Sequence, residues 1–146
     1  MACCRAAASG DLNRYWTKAL PPEIELLTET TLRIAPTEFR EPDFVFWPST
    51  VAVKDLKPEH LLLTVEVADS SLDYDLGSKA AYCASLGLAD YWVIDAKRLI
   101  TTIHRQPAAS GFSSVTEHDS RTLLTPLVVP QLALRLADLG LEPAVE

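Results

Sequence analysis

A short apolar run with a single acid inside it constrains this chain more than any other stretch. Residues 61–67 read LLLTVEV, and Glu66 is the only charged side chain among them. A run of this kind, closed by the polar cluster Asp69, Ser70 and Ser71, is typical of a strand buried on both faces of a sheet. A carboxylate in such a strand is costly unless it is paired, hydrogen-bonded or bound to a metal. Glu66 is therefore the first candidate for a functional residue.

The segment after this strand offers a cation that could meet Glu66. From Asp73 onward the pattern predicts a helix that Gly87 ends as a C′ residue, and its one basic residue is Lys79. An acid near the end of a buried strand and a lysine on the next helix can converge on one point. Asp75, one turn before Lys79, is either a helix cap or the partner that orients this lysine.

A second acid stands at the head of another predicted strand. Asp43 follows Pro42 and begins the short strand Phe44–Trp47, which Pro48 ends. Two carboxylates at the ends of adjacent strands can hold Mg²⁺, which prefers a few carboxylates, waters and substrate phosphate. Such an ion neutralises a scissile phosphate and activates a bound water, and a nearby lysine can orient that water or stabilise the developing charge. These residues form the minimum set for metal-dependent phosphodiester hydrolysis.

Each member of this set also has an ordinary explanation. Asp43 after a proline is commonly a turn or cap residue. Lys79 alone is more often a solvated helix lysine, and Asp75 lies at the i, i+4 spacing that would pair with it. Glu66 is the member for which a functional reading leads, because a buried strand carboxylate is unusual. The residues by themselves leave both interpretations open.

The rest of the chain predicts a single α/β domain. A helix over Leu12–Leu20 has Asp11 as its N-cap, and two prolines end it. The remaining predictions are strands within Glu23–Ala35 and over Ala89–Asp95, Leu99–Arg105 and Phe112–Glu117, with a turn at Pro36–Glu41. The sum is a central mixed β-sheet flanked by a few helices, spanning residues 11–146, with residues 1–10 poorly ordered.

Composition excludes several classes of protein. The net charge of −7 and a sequence pI near 4.9 argue against a broad basic patch and against tight non-specific nucleic-acid binding. The three cysteines, Cys3, Cys4 and Cys83, form no C-x-x-C pair, which argues against a disulfide framework or a zinc site and favours a reducing, cytoplasmic location. No apolar run approaches the roughly 20 residues of a membrane-spanning helix. We therefore expect no membrane association.

Other side chains that could carry chemistry have simpler interpretations. We expect Tyr82, Tyr91 and Trp92 to pack in the core, with Cys83 as a small buried residue. The three histidines, His60, His104 and His118, lack ligand spacing and are expected at the surface or at strand ends. Lys97, Arg98 and Arg105 lie near a predicted hairpin and are either solvated charges or phosphate contacts.

Two stretches of the sequence also resemble a known protein family. The strings EPDF and VEVADSSLDYDLGSKAAYCASLGLADYWVIDAKRL resemble the Uma-two family of restriction-endonuclease-like proteins, within the PD-(D/E)XK nuclease superfamily. The resemblance runs from about Leu20 to about Leu139. It implies a restriction-endonuclease-like core with metal-binding acids at Asp43 and Glu66, and the backbone carbonyl of Val67 as a further ligand.

The position of the lysine departs from the usual superfamily pattern. The common lysine lies two residues beyond the glutamate, where this chain has Ala68. In families of this kind the lysine has moved to the following helix, and Lys79 matches that position. The resemblance thus implies a DNA endonuclease that uses Mg²⁺ or Mn²⁺, with catalytic Asp43, Glu66 and Lys79, and a homodimer because a double-strand cut needs two sites.

Two features of the family pattern are not matched near the start of the sequence. The superfamily often has an acid on the helix before the core sheet, and here Asp11 is the only candidate. Uma-like chains also usually carry an N-terminal hairpin, for which this sequence begins too late. Both differences keep open a catalytically silent nucleic-acid-binding or protein-interaction domain. A third hypothesis is a metal-dependent hydrolase of small phosphoesters.

Overall fold

The structure, a computed structural model, describes residues 4–29, 32–34, 37–39 and 42–144. Its helices are α1 (Cys4–Ala19), α2 (Leu72–Leu76) and α3 (Ser78–Ser85). Its strands are β1 (Ile24–Thr28), β2 (Leu32–Ile34), β3 (Thr37–Phe39), β4 (Phe44–Pro48), β5 (Leu63–Ala68), β6 (Asp90–Asp95), β7 (Ile100–Ala108) and β8 (Gly111–His118). Short 3₁₀ turns occur at Val53–Asp55, Pro58–His60, Pro130–Leu132 and Leu136–Leu139.

Within the described residues, six strands form one mixed sheet in the order β1-β4-β5-β6-β7-β8. Strands β5 and β6 are parallel, and the other neighbours are antiparallel. Parallel pairing requires a crossover connection, which α2 and α3 provide between β5 and β6. Strands β2 and β3 pair with each other in a separate antiparallel ribbon. The α/β fold class predicted from the sequence is confirmed.

The alternation of side chains along β5 separates two cores. Leu63, Val65 and Val67 pack on the face that α1 covers, whereas Ala68 packs on the face that α3 covers. Because side chains alternate along a strand, Glu66 shares the α3 face with Ala68. Every residue of β5 is buried, as the apolar run predicted.

Helix α1 is longer than the sequence predicted. It begins at Cys4 rather than Leu12, because Ala8, Leu12 and Trp16 form an apolar stripe at helical spacing that is buried against the sheet. The Trp16 indole N–H donates a 3.0 Å hydrogen bond to the Leu132 carbonyl, which ties α1 to the C-terminal segment. The division of the chain at residue 10 stays a prediction, and residues 1–3, with Cys3, lie outside the described part.

Several local predictions were wrong. The single helix expected from Asp73 is two helices, because Gly77 adopts φ −102° and ψ −99° between them. Within the turn predicted over residues 36–41, Thr37–Phe39 forms β3, and 36, 40 and 41 lie outside the described residues. His104 is buried, and Tyr82 is 38% exposed rather than packed in the core. In the segments that the structure describes, no helix is both long and apolar enough to cross a membrane.

Candidate functional site

The predicted acids lie at one edge of the central sheet. Strands β4 and β5 run antiparallel with Phe44 opposite Val65, so the start of β4 adjoins the carboxyl end of β5. This register brings Asp43, just before β4, next to Glu66 and Val67. Both carboxylates are buried, although each belongs to a residue type that normally stays in water.

Backbone hydrogen bonds hold the two acids together. Oδ2 of Asp43 accepts a 2.7 Å hydrogen bond from the Val67 backbone N–H. In return, the Asp43 backbone N–H donates to Oε1 of Glu66 at 3.3 Å. The two side chains are therefore positioned by the sheet itself rather than by flexible loops.

Lys79, on helix α3, is the third member of the group. It lies in the first turn of α3, and its Nζ is 2.5 Å from Oε2 of Glu66. The side chain is 13% exposed, so the ion pair is largely removed from solvent. The structure thus brings together the three residues that the sequence predicted as catalytic; their catalytic role stays a prediction.

Burial and charge act against each other on this pair. Burial raises the pKa of Glu66 to about 8, even though the Lys79 ammonium favours the carboxylate. For Lys79, burial disfavours the charged form, but attraction by Glu66 and Asp75 outweighs it and raises the pKa. Lys79 is therefore a cation at neutral pH, while Glu66 binds a proton at higher pH than an exposed glutamate does.

Asp75 lies within α2 rather than at the start of the helix that carries Lys79. Its carboxylate is buried and accepts a 2.9 Å hydrogen bond from the Ser71 hydroxyl, and its backbone carbonyl accepts one of 3.0 Å from the Tyr91 hydroxyl. Burial raises the pKa of Asp75, and its charge helps to keep Lys79 protonated. Its predicted role as the partner that orients Lys79 stays a prediction.

Arg5 is a member of the site that the sequence reasoning missed. Its Nε donates a 3.1 Å hydrogen bond to the Val67 carbonyl, and its Nη2 donates to Oδ1 of Asp43. Nη2 also lies 3.6 Å from a carboxylate oxygen of Glu29. Arg5 stands three residues before Ala8, so it continues the buried stripe of α1. The three-residue spacing between Arg5 and Ala8 could have predicted this position, but the helix predicted from the sequence began at Leu12 and did not include Arg5.

The predicted metal ligands fit a hard cation by their chemistry. The Asp43 and Glu66 carboxylates and the Val67 carbonyl supply the oxygen donors that Mg²⁺ and Mn²⁺ prefer. A cation already lies against two of them, since the Arg5 guanidinium contacts both Asp43 and the Val67 carbonyl. In the part of the chain that the structure describes, no group of three or more His, Cys, Asp or Glu residues is arranged for a metal. The candidate set is thus two carboxylates and a carbonyl.

Of the other charged residues considered from the sequence, two lie at the same edge of the sheet as the site and one lies elsewhere. Lys97 and Arg98 follow β6, which runs parallel to β5, so they lie at the edge that carries the site. Lys97 pairs with Asp69 at 3.2 Å and Arg98 with Asp95 at 2.8 Å, and both cations are more than half exposed. Asp11, the predicted helix acid, instead pairs with Arg14 on α1.

Comparisons with known proteins bear on the family and the fold of the chain. A family model described as "Uma2: Putative restriction endonuclease" matches residues 6–137. The chain belongs to the Uma2 family. The resemblance expected from the sequence is confirmed, and the family description gives nuclease chemistry as the general class for this Uma2 chain. No match was found among curated proteins.

A solved structure shares the fold of the Uma2 chain. It is a protein from Anabaena variabilis ATCC 29413 described as "a putative nuclease belonging to DUF820". The two are 15% identical, with a TM-score of 0.72, and the alignment covers 95% of this chain and 81% of the other. At this identity the likeness shows the fold alone. It confirms the restriction-endonuclease-like core.

Proposed function

We propose that this protein is a metal-dependent nuclease that hydrolyses phosphodiester bonds in DNA with Mg²⁺ or Mn²⁺. One observation carries the proposal: Asp43, Glu66 and Lys79, from three separate elements, meet within hydrogen-bonding distance at one edge of the sheet. Buried carboxylates with a buried lysine are costly for stability, so their convergence favours a functional role.

The residues divide into metal ligands and a charge donor. Asp43, Glu66 and the Val67 carbonyl would hold the metal ion, which when bound neutralises a phosphate and lowers the pKa of a coordinated water. Lys79 stays protonated beside Glu66 and Asp75, so it acts as a hydrogen-bond donor and charge stabiliser rather than as a general base. Asp75 supports that protonated state.

Substrate contact would use the cations at the same edge. Lys97 and Arg98 are exposed there and can approach a phosphate backbone. Each is already paired with an acid, Lys97 with Asp69 and Arg98 with Asp95, so a phosphate would compete with those carboxylates for the two cations. We therefore expect weak binding that relies on a few phosphate contacts and has a correspondingly shallow salt dependence.

The test is cleavage of supercoiled plasmid with Mg²⁺ or Mn²⁺. Glu66→Gln and Lys79→Met should reduce the rate by about 10²-fold or more, as loss of an electrostatic contact to the reacting group does. Glu59→Gln and Lys54→Met, which change exposed residues of the same types outside the site, are matched controls. Unchanged cleavage in both site variants would end the proposal. Parallel reactions with single-stranded DNA, RNA and a small phosphodiester would define the substrate class.

A catalytically silent domain is the second candidate. It is favoured by the contacts of the two carboxylates, since each of their oxygens already has a protein partner: Arg5, the Val67 and Asp43 backbone N–H groups, and Lys79. Calorimetry with Mn²⁺ separates the two candidates. A silent domain shows no heat that depends on Asp43 and Glu66, whereas a nuclease does.

A homodimer follows from the proposed reaction. Cutting both strands of a duplex needs two active sites, and each chain supplies one. We expect size-exclusion chromatography with light scattering to give about twice the chain mass of 16.0 kDa. A monomeric protein that cuts only one strand of the plasmid would still support phosphodiester hydrolysis but would contradict the homodimer.

A further inference from the structure

The Arg5 guanidinium lies where the proposed metal would be held. It contacts Asp43 through Nη2 and the Val67 carbonyl through Nε at 3.1 Å, and these are two of the three proposed ligands. A guanidinium and a divalent ion both need the same oxygen lone pairs. Both cations at once would also repel each other across a few ångströms beside the buried Asp43 carboxylate.

We propose that Arg5 and the divalent cation exclude each other, so that Arg5 is a built-in competitor that must leave Asp43 before metal binds. This inference rests on the proposed metal site. It adds one condition, which we call the gate: metal binds only after the Arg5 guanidinium has left Asp43. In the metal-free protein, Arg5 neutralises the buried Asp43 carboxylate. With metal bound, the ion takes over that neutralisation and the guanidinium moves out.

The position of Arg5 makes this exchange feasible. Arg5 lies in the first described turn of α1, whereas the buried anchors Ala8, Leu12 and Trp16 follow it and stay packed on the sheet. Glu29, 57% exposed, is already 3.6 Å from the guanidinium. The displaced Arg5 side chain therefore keeps an acidic partner in solvent, and only side-chain rotation or a change in one helical turn is required.

Calorimetry with Mn²⁺ tests the competition directly. Arg5→Gln removes the charge and should bind Mn²⁺ about tenfold tighter or more, which is the range of a charge-assisted hydrogen bond converted to an affinity. Arg14→Gln is the matched control, because it removes the same charge from the same helix at a residue that pairs with Asp11 instead. Its affinity should stay within about twofold of the parent. Asp43→Asn should abolish binding in both backgrounds.

The outcomes separate this inference from the proposed function. If the parent and Arg5→Gln bind Mn²⁺ equally, and Asp43→Asn does not bind, the gate is wrong and the metal site stands. A gain in Arg14→Gln as large as in Arg5→Gln would reduce the effect to overall charge and overturn the gate. If neither the parent nor Arg5→Gln binds, both proposals fail.

A readout on the parent protein covers the case in which Arg5→Gln folds poorly. Because the Arg5 Nε–H donates to the Val67 carbonyl, we expect its ¹⁵N NMR signal to be distinct from that of exposed Arg14. Saturating Mg²⁺ should move the Arg5 Nε–H signal toward the position of a solvated arginine and leave Arg14 unchanged. An Arg5 signal that does not move while Mg²⁺ binds would overturn the gate.

Discussion

Nζ of Lys79 lies 2.5 Å from Oε2 of Glu66, and the two side chains are 13% and 4% exposed. The contact joins the first turn of α3 to the end of β5, so it holds helix and sheet in one geometry. A largely buried pair of this kind stabilises only as a pair, because removing one partner leaves the other desolvated.

We therefore expect strong coupling between Glu66 and Lys79. Lys79→Met should raise the pKa of Glu66 further and lower the free energy of unfolding by about 1–3 kcal/mol, and adding Glu66→Gln should restore part of that loss. Urea unfolding of the parent, both single variants and the double variant measures the interaction. Strictly additive effects would show that the pair contributes no coupling.

The stability of the protein should depend on pH through Glu66. Its folded pKa of about 8 lies above the ordinary value of 4.5, so between these values the folded chain holds a proton that the unfolded chain has released. Its contribution is fully present below about pH 4.5 and is lost as pH rises toward 8, at up to about 1.4 kcal/mol per pH unit. Lys79 stays protonated in both states over this window and adds no slope.

Urea unfolding between pH 5 and 8 measures this effect. Glu66→Gln should flatten the decline, whereas Glu59→Gln, which changes an exposed acid, should leave it intact. The same decline in Glu66→Gln as in the parent would assign the slope to another group.

Gly77 should be intolerant of a side chain. A Cβ there would lie 2.9 Å from the Asp73 carbonyl oxygen, so the break between α2 and α3 would have to shift. We expect Gly77→Ala to lower the free energy of unfolding by about 1–3 kcal/mol and to weaken the Lys79 contact that α3 carries. Gly10→Ala is the control, since its Cβ meets only an arginine tip at 3.9 Å and alanine favours helix. A neutral Gly77→Ala would contradict the close contact.

Asp90 should be a structural acid remote from catalysis. Its carboxylate accepts hydrogen bonds from the Trp92 indole at 2.8 Å, from Arg105 at 3.0 Å and from the Leu127 backbone N–H at 3.0 Å. Asp90→Ala leaves the buried Trp92 indole N–H without its acceptor and removes an acceptor from the less buried Arg105 and Leu127 groups, and we expect a loss of about 3–5 kcal/mol in urea unfolding. Asp138→Ala, at an exposed acid, should change stability by less than about 0.5 kcal/mol.

The Cys83 thiol should resist alkylation. Burial, reinforced by the negative charge of Glu66, raises the pKa of Cys83 to about 12, so the reactive thiolate is scarce at neutral pH. Peptide mapping after iodoacetamide treatment should find Cys83 unmodified in the native protein and modified in urea. Rapid native labelling would show that α3 opens readily from the sheet.

Local sequence patterns predicted the central part of the fold. Apolar runs predicted β4, β5 and β6, because a buried strand needs apolar side chains on both faces. Glu66 stood out for the same reason, as the one charge in such a run. A hairpin was also predicted near Lys97 and Arg98, and in the turn that joins β6 to β7 the Asp95 carboxylate accepts hydrogen bonds from their backbone N–H groups.

Patterns failed where burial depends on distant elements. His104 looked like a strand-end residue, but it is enclosed between Tyr91 and Phe112, whose rings come from β6 and β8. Tyr82 looked like a core residue, yet α3 turns it outward, while the next residue, Cys83, is buried as expected. Neither outcome is encoded within a few residues, because each follows from which face the helix or strand presents to its neighbours.

The sequence by itself determined the central strands β4, β5 and β6, the acids that head or end them, and the lysine on the crossover, since each has a local signature of spacing and polarity. Only the tertiary structure decided which cations meet those acids. The β4–β5 register places Asp43 beside Glu66, α3 places Lys79 against Glu66, and α1, which begins at Cys4 rather than at the predicted Leu12, places Arg5 against Asp43. Charges that attract over a few ångströms are brought together by packing across the whole sheet, and no local pattern records that distance.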